Sequence, residues 1–354
     1  MKILFILPNL AAGGAERVYS FIPQNLDSKK FHPKILIIGH ERDTVYDTGN
    51  VPVIALQKNR LKEGVIDIYK YLRKDRPDVL FGSIAHINTA LGLIAPFFPN
   101  IKFIIREASV ISKMAEFSEG KPSLFWKIMP NIAYKQVDAI ICQSKDMAHD
   151  FQQLYKIPKS KIVLIGNPIT NISNRANYEV TFKQGANKFI TVGRLSKEKG
   201  HRRILDILAN YNRNFTYTIV GDGPEKAPIL EQISKLGLKG KVNHIPHSNN
   251  VSALLSENSL FLQGSYVEGF PNAVLESCTV GTPVLAFNVP GGTKEIIKHN
   301  INGYLVNSSE QFLEHLYKEQ TWERKMISES VTCRYSSENI ISKYENLILN
   351  LVKK

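Results

Sequence analysis

Short apolar runs alternate with amphipathic segments along nearly the whole chain. Lys2–Leu7 reads as a buried strand, and after a loop ending in Gly13 and Gly14 a helical period runs from residue 15 towards 26. Further apolar runs fall at 34–38, 51–56, 78–81, 102–105, 138–142 and 161–165, with amphipathic stretches at 64–74, 88–95, 124–135 and 145–154 between them. The rhythm breaks at Asn167-Pro168 and over the polar stretch 171–187, which shows neither a strand nor a helix period. It restarts with strands at 188–192, 215–220, 241–245, 259–263 and 283–287, alternating with helices at 198–210, 224–236, 251–256 and 271–280. Helical segments at 309–317, 322–332 and 337–351 close the chain. Strands that are apolar throughout, each followed by a helix, belong to parallel sheets covered on both faces. The pattern therefore predicts two doubly wound α/β domains, 1–168 and 188–336, joined by a linker at 169–187. Ligands of such sheets bind beyond the carboxyl ends of the strands, here in a cleft between the domains.

Composition agrees and removes several alternatives. The 354 residues are 43 % hydrophobic and 22 % charged, as in an ordinary globular protein of two domains. Three scattered cysteines (Cys142, Cys278, Cys333), none in a C-x-x-C pair, give neither a disulfide framework nor a zinc site and suit a reducing compartment. No stretch reaches the ~18 apolar residues of a spanning helix. The apolar run at 3–7 is broken by Pro8 and Asn9, too soon for a secretion signal. A cytoplasmic location is expected.

The net charge of +13 is spread: 23 basic against 15 acidic residues in 1–170, and 22 against 17 in the remainder. No basic stripe with interleaved aromatics and no nucleic-acid module signature accompanies it, so nucleic acid is not an expected partner. Phosphates or an anionic lipid surface fit better.

Three loops carry candidate chemistry. Gly13 and Gly14 sit at the turn from strand to helix, where glycine tolerates positive φ and lets backbone N–H groups approach an anion. In the second domain, Val192-Gly193-Arg194-Leu195-Ser196-Lys197-Glu198-Lys199-Gly200 places a guanidinium fork and mobile ammonium groups beyond a strand's carboxyl end, a pairing suited to phosphate oxygens. Downstream, Glu268-Gly269-Phe270-Pro271-Asn272-Ala273-Val274-Leu275-Glu276 sets two carboxylates around a helix start, whose free N–H groups near Phe270, Pro271 and Asn272 form an anion site. Carboxylates so placed suit the hydroxyls that flank a diphosphate in a sugar nucleotide. Neither G-x-G-x-x-G nor a P-loop motif occurs, which removes the main support for dinucleotide oxidoreductases and P-loop enzymes.

Taken together, MKILFILPNLAAGGAER, VGRLSKEKG, IVGDGPE, YVEGFPNAVLES and GTPVLAFNVPGGTKEII resemble the family 4 glycosyltransferases nearly end to end, in particular bacterial enzymes of cell-surface glycan synthesis. The resemblance implies the GT-B fold, two Rossmann-like domains facing across a cleft, with the acceptor on the first, the nucleotide sugar on the second, and a final helix (337–354) crossing back onto the first. It implies that Arg194 and Lys199 hold the donor diphosphate, that Glu268 faces the transferred sugar, that Glu276 holds the ribose, and that Gly13 and Gly14 approach the diphosphate. It implies a retaining transfer of a hexose-type sugar from a UDP-sugar to a glycan or lipid-linked glycan. No cofactor is expected beyond the nucleotide sugar, and with no Asp-x-Asp motif no metal is implied.

One departure stands out. Many relatives carry a histidine where this chain has Ala108, in Arg106-Glu107-Ala108-Ser109, so the acceptor-side contacts are expected from Glu16, His86 or Glu107. The enzymatic rival is a sugar-nucleotide epimerase of the same fold, and the non-enzymatic rival a basic anion-binding module. Over 112–135, Leu124, Ile128 and Ile132 recur at helical spacing, which fits a core-facing row. The interspersed Lys113, Lys121, Lys127 and Lys135, the domain's positive balance and the resemblance point instead to peripheral contact with an anionic membrane.

Overall fold

The structure, a computed structural model, describes residues 1–11, 13–117, 124–170, 182–183 and 187–353. The chain splits into two compact units, one of Met1–Ser112, Ser118–Thr170 and Ser337–Lys354, the other of Lys113–Phe117 and Asn171–Ser336.

The first unit holds seven strands: β1 (Lys2–Leu7), β2 (His32–Ile37), β3 (Val53–Ala55), β4 (Val79–Ser83), β5 (Lys102–Arg106), β6 (Ala139–Cys142) and β7 (Ile162–Leu164). They form one parallel sheet in the order β3-β2-β1-β4-β5-β6-β7. Its helices are α1 (Gly14–Asn25), α2 (Leu61–Asp75), α3 (Ala85–Ile94), the short α4 (Ile111–Met114) at the junction of the two units, α5 (Leu124–Gln136) and α6 (Lys145–Tyr155). β1 and β4, at the centre, are buried almost throughout, whereas the edge strands β3 and β7 are partly exposed. This gradient is why the central strands read as uninterrupted apolar runs. Phe5 of β1 stacks on Phe81 of β4 at 4.7 Å between centroids and meets Tyr19 of α1 edge-on at 5.6 Å.

The second unit repeats the plan. After the two-residue β8 (Phe182–Lys183) come β9 (Lys188–Val192), β10 (Thr216–Val220), β11 (Val242–Ile245), β12 (Leu260–Gln263), β13 (Val284–Phe287) and β14 (Gly303–Val306), in a parallel sheet of order β11-β10-β9-β12-β13-β14. α7 (His201–Ala209), α8 (Lys226–Lys235), α9 (Val251–Ser256), α10 (Asn272–Thr279), α11 (Thr293–Ile296) and α12 (Ser309–Tyr317) connect or follow these strands. β15 (Thr321–Trp322) pairs antiparallel with β8, and α13 (Arg324–Tyr335) precedes the final α14 (Ser337–Val352).

The sequence reading needs three corrections here. The polar stretch 171–187, mostly outside the described residues, contains β8, a pairing two residues long and therefore without detectable periodicity. β14 was not anticipated, because Gly303-Tyr304-Leu305-Val306 begins with a glycine, follows the polar turn Asn300-Ile301-Asn302 and is only four residues long. The helix expected over 198–210 is instead a 3₁₀ turn at Lys197–Lys199, then Gly200, then α7, with Gly200 at φ +62° as the break. A Cβ at Gly200 would stand 2.0 Å from the carbonyl oxygen of Gly264, so this glycine allows the loops after β9 and β12 to touch.

α14 belongs to the first unit. Its buried Tyr344 lies 5.9 Å from the Phe81 ring, and Glu345 Oε1 accepts from the Asp27 amide at 2.8 Å. Among the described residues no helix is long and apolar enough to cross a membrane.

Candidate active site

In both parallel sheets the strand order reverses next to the sheet's first strand in the chain, between β1 and β4 and between β9 and β12. Crossover helices leave to opposite sides at such a point, which opens a crevice at the strands' carboxyl ends. In the second unit the two loops that border it are those carrying Arg194 and Lys199 (after β9) and Glu268 (after β12).

The structure joins residues from these loops directly. Lys199 Nζ lies 2.9 and 2.8 Å from the two carboxylate oxygens of Glu268, whose side chain is only 6 % exposed. Ser265 Oγ donates to Glu268 Oε1 at 2.7 Å, and Gln263 Nε2 reaches the same oxygen at 3.3 Å. A carboxylate so far from water is stable as an anion only when paired and hydrogen-bonded, and these three donors supply that. An ammonium has three N–H bonds, so Lys199 can hold Glu268 and still reach a phosphate oxygen.

The backbone around Glu268 is fixed from a third loop. The Glu268 amide donates to Pro290 O (3.0 Å) and the Gly292 amide to Gly269 O (2.9 Å). Gly291 adopts φ +119°, and a Cβ there would sit 1.7 Å from the Glu268 carbonyl oxygen. Pro271 caps α10 with no side-chain cap bond, leaving the first-turn amides as the positive end of the helix dipole, and Glu276 lies in the helix's second turn, half-buried. Gly269 and Phe270 are buried beneath the turn and Asn272 is half-buried at its mouth.

Arg194 is exposed at the end of β9, and its carbonyl accepts from His201 Nε2 at 3.1 Å. Burial lowers the His201 pKa to about 4, so the ring is neutral and its Nε2–H donates. His201, Ser265 and Gln263 were missed in the sequence. For Ser265 the signal was present as Ser-x-x-Glu spacing, whereas His201 and Gln263 give none, since each acts on a partner in another loop or beyond a turn.

The first-unit candidates part company. Gly13 caps α1 in an extended conformation, φ −156°, and neither it nor Gly14 uses the positive φ expected of the pair. What the site demands is space: a Cβ on Gly13 would stand 2.1 Å from the Glu16 carboxylate, which folds back over the helix start onto its own backbone amide. Burial raises the Glu16 pKa, with the nearby Arg106 charge opposing. Glu107 is not at the surface. It is 3 % exposed, its Oε1 accepts from Asn88 Nδ2 (2.6 Å) and Tyr134 OH (3.0 Å), and Gln143 donates to its carbonyl. Burial pushes its pKa up to about 7. An acceptor contact through its carboxylate is thus disfavoured. His86 stands in the first turn of α3, bordering a cavity, and burial lowers its pKa.

Known proteins share the family and the two-sheet plan of this chain. Residues 12–170 match the model described as "Glycosyltransferase Family 4" and residues 174–319 that described as "Glycosyl transferases group 1". The amylovoran biosynthesis glycosyltransferase AmsD of Erwinia amylovora is 24 % identical over 98 % of this chain and 99 % of its own. A Campylobacter jejuni α-1,4-N-acetyl-D-galactosaminyltransferase acting on a diphospho-undecaprenol-linked glycan is 24 % identical over 93 % of this chain and 92 % of its own. Among solved structures, HepE of Anabaena in complex with UDP-glucose superposes with a TM-score of 0.80 at 18 % identity, covering 99 % of this chain and all of that one. With both halves matched in order on a shared two-sheet plan, the chain is a GT-B glycosyltransferase belonging to the family 4 glycosyltransferases.

Proposed function

We propose that the protein transfers a hexose-type sugar, with retention of anomeric configuration, from a UDP-sugar to a glycan or lipid-linked glycan in bacterial cell-surface polysaccharide synthesis. The observation that carries this reading is the Lys199–Glu268 pair at the strand-order reversal, with Arg194 and the start of α10 alongside. Arg194, Lys199 and the α10 amides bind the diphosphate and stabilise the charge that grows on it as the bond from anomeric carbon to phosphate oxygen breaks. The acceptor oxygen forms its bond to the same carbon on the same face, and its proton passes to a donor phosphate oxygen. Glu268, held rigid by Ser265, accepts hydroxyl hydrogen bonds from the departing sugar, and Glu276 holds the ribose. Gly13 and Gly14, at the strand-to-helix turn of the first unit, are that unit's own candidates for an anion contact. Charge is met by protein groups throughout, and the proposal assigns no metal and no further cofactor. The choice of UDP draws on HepE, solved with UDP-glucose, and the acceptor class on the relatives named above.

Melting temperature measured with UDP-, GDP- and ADP-sugars tests the donor, because a ligand bound only by the folded state raises it. A rise with GDP- or ADP-sugars alone rejects UDP. Donor converted to an isomer without acceptor identifies an epimerase, and an inverted anomeric proton in the product rejects retention.

We further propose that the first unit rests on an anionic membrane at the cytoplasmic face. Of the row expected to face the core, Ile128 and Ile132 do not: each is 45 % exposed on α5, next to the exposed Lys135. α5 packs on α3 through Ala133, whose carbonyl would lie 2.3 Å from a Cβ on Gly92. Lys121 lies outside the described residues. Sedimentation with anionic liposomes checks this, and equal partitioning to neutral and anionic vesicles at low salt rejects it.

A further inference from the structure

The three loops of the second unit's site share one further contact, and a cation makes it. Arg203 lies in the first turn of α7, shortly after Lys199 and Gly200. It is half-buried, and among the described residues it forms neither an ion pair nor a hydrogen bond. Two aromatic rings hold it instead: its Cζ is 3.0 Å from the Phe287 ring centroid and 4.9 Å from that of Tyr266. The planar, weakly hydrated guanidinium suits such a place, where a compact and strongly hydrated ammonium does not.

Both rings belong to the surroundings of Glu268. Tyr266 precedes Glu268 in the loop after β12, separated from it by Val267 alone. Phe287 ends β13, just before the turn in which Pro290 O accepts from the Glu268 amide. Phe287 is a fixed base, 1 % exposed and stacked on Phe312 of α12 at 4.9 Å. Tyr266 is 44 % exposed; its amide donates to Glu198 O (2.8 Å), and its ring meets Phe117 at 5.8 Å. Arg203 thus links α7, which follows the Lys199 loop, to the approach of the Glu268 loop and to the end of β13.

We infer that Arg203 is a positioning residue for sugar transfer, setting the loop after β12 against α7 and β13 and so fixing the direction in which Glu268 is presented. It acts through Tyr266 and Phe287 and not on the donor itself. Backbone bonds hold the Glu268 loop from Glu268 and Gly269 onward, and Tyr266, through Arg203, fixes its approach. A reacting group misplaced by ~1 Å can cost about 10²-fold in rate, so a loosened approach is felt in turnover before it is felt in stability. Arg194 and the α10 amides, which meet the diphosphate, are left in place when Arg203 is replaced. The inference rests on the donor reading above, in which Glu268 faces the transferred sugar.

The test uses the full chain and follows UDP release from UDP-glucose, UDP-galactose and the corresponding N-acetylhexosamine donors, with water as acceptor, alongside the UDP-induced melting shift. Arg203→Met should lower kcat for the preferred donor about tenfold or more and narrow the preference between the best two donors about threefold, with at least half of the UDP shift retained. Arg203→Lys should restore neither, because it returns the charge without the plane. Tyr266→Ala, at an exposed ring that the fold tolerates losing, should reproduce the loss, and Tyr266→Phe, which keeps the ring, should not. In Arg203→Met/Tyr266→Ala the loss should not exceed the larger single loss, since residues acting through one contact are not additive. Three results overturn the inference and leave the transferase reading standing: turnover and donor preference within about twofold of wild type in Arg203→Met, losses that multiply in the double variant, or turnover that falls only together with the UDP shift. A wild type that no UDP-sugar stabilises and that releases UDP from none overturns the donor reading, and this inference with it.

Discussion

Glu268 and Lys199 satisfy each other's charge with the Glu268 carboxylate buried, so removing one partner has two separable effects. Lys199→Met is expected to lower kcat/KM by about 10²–10³, the scale of losing one preorganised stabiliser of developing charge. It should also destabilise the fold by a few kcal/mol, because the buried Glu268 carboxyl is left without its counter-ion. Lys199→Met/Glu268→Gln should recover most of the stability and none of the activity, as read by urea unfolding and turnover. Glu107 makes a different case. Its pKa of about 7 against an ordinary 4.5 means that between these values the folded state binds more protons than the unfolded one. Its contribution to stability is therefore greatest below pH 4.5 and falls as pH rises towards 7, at up to ~1.4 kcal/mol per unit. Glu107→Gln keeps the oxygen that Asn88 and Tyr134 bond, so melting curves from pH 5 to 8 should show the variant gaining on the wild type as pH rises.

At the scale of elements, three loops at the carboxyl ends of β9, β12 and β13 act as one body because backbone bonds and close glycine contacts join them. Gly291→Ala places a methyl group against the Glu268 carbonyl. Since that clash is with backbone, the Glu268 loop must shift, and the UDP-induced melting shift should fall to less than half. The loop after β9 depends on His201 being neutral. Its folded pKa of about 4 lies below the ordinary 6.5, so the stability it lends is present above pH 6.5 and lost as pH falls towards 4. Hydrogen exchange in β9 and α7 should accelerate over that window, and His201→Gln should remove most of the pH dependence.

For the whole molecule, the last helix ties the end of the chain to its beginning. α14 buries Ile340, Tyr344 and Ile348 in the first unit, and burying side chains of this size contributes roughly 1.5–3 kcal/mol each. Ending the chain at Ser336 should therefore lower the stability of the first unit by several kcal/mol. Hydrogen exchange should show protection lost from β1 and β4 and retained in β9 and β12, and equal loss in both sheets would contradict the assignment of α14 to the first unit.

By itself the sequence determined the two parallel sheets, since strands buried on both faces must be apolar at every position and the helices between them must be amphipathic. It also marked the second-unit loops, because Arg194, Lys199 and Glu268 stand where the apolar pattern stops and glycine and proline begin. It could not determine contacts between residues far apart in the chain. The pairing of Lys199 with Glu268 and the burial of Glu107 depend on strand order, and strand order leaves no periodicity. The exposure of Ile128 and Ile132 was equally hidden, because spacing shows that residues share a face and only packing decides which way it turns. β8 and β15, two residues each, exist because each finds the other across more than a hundred residues of chain.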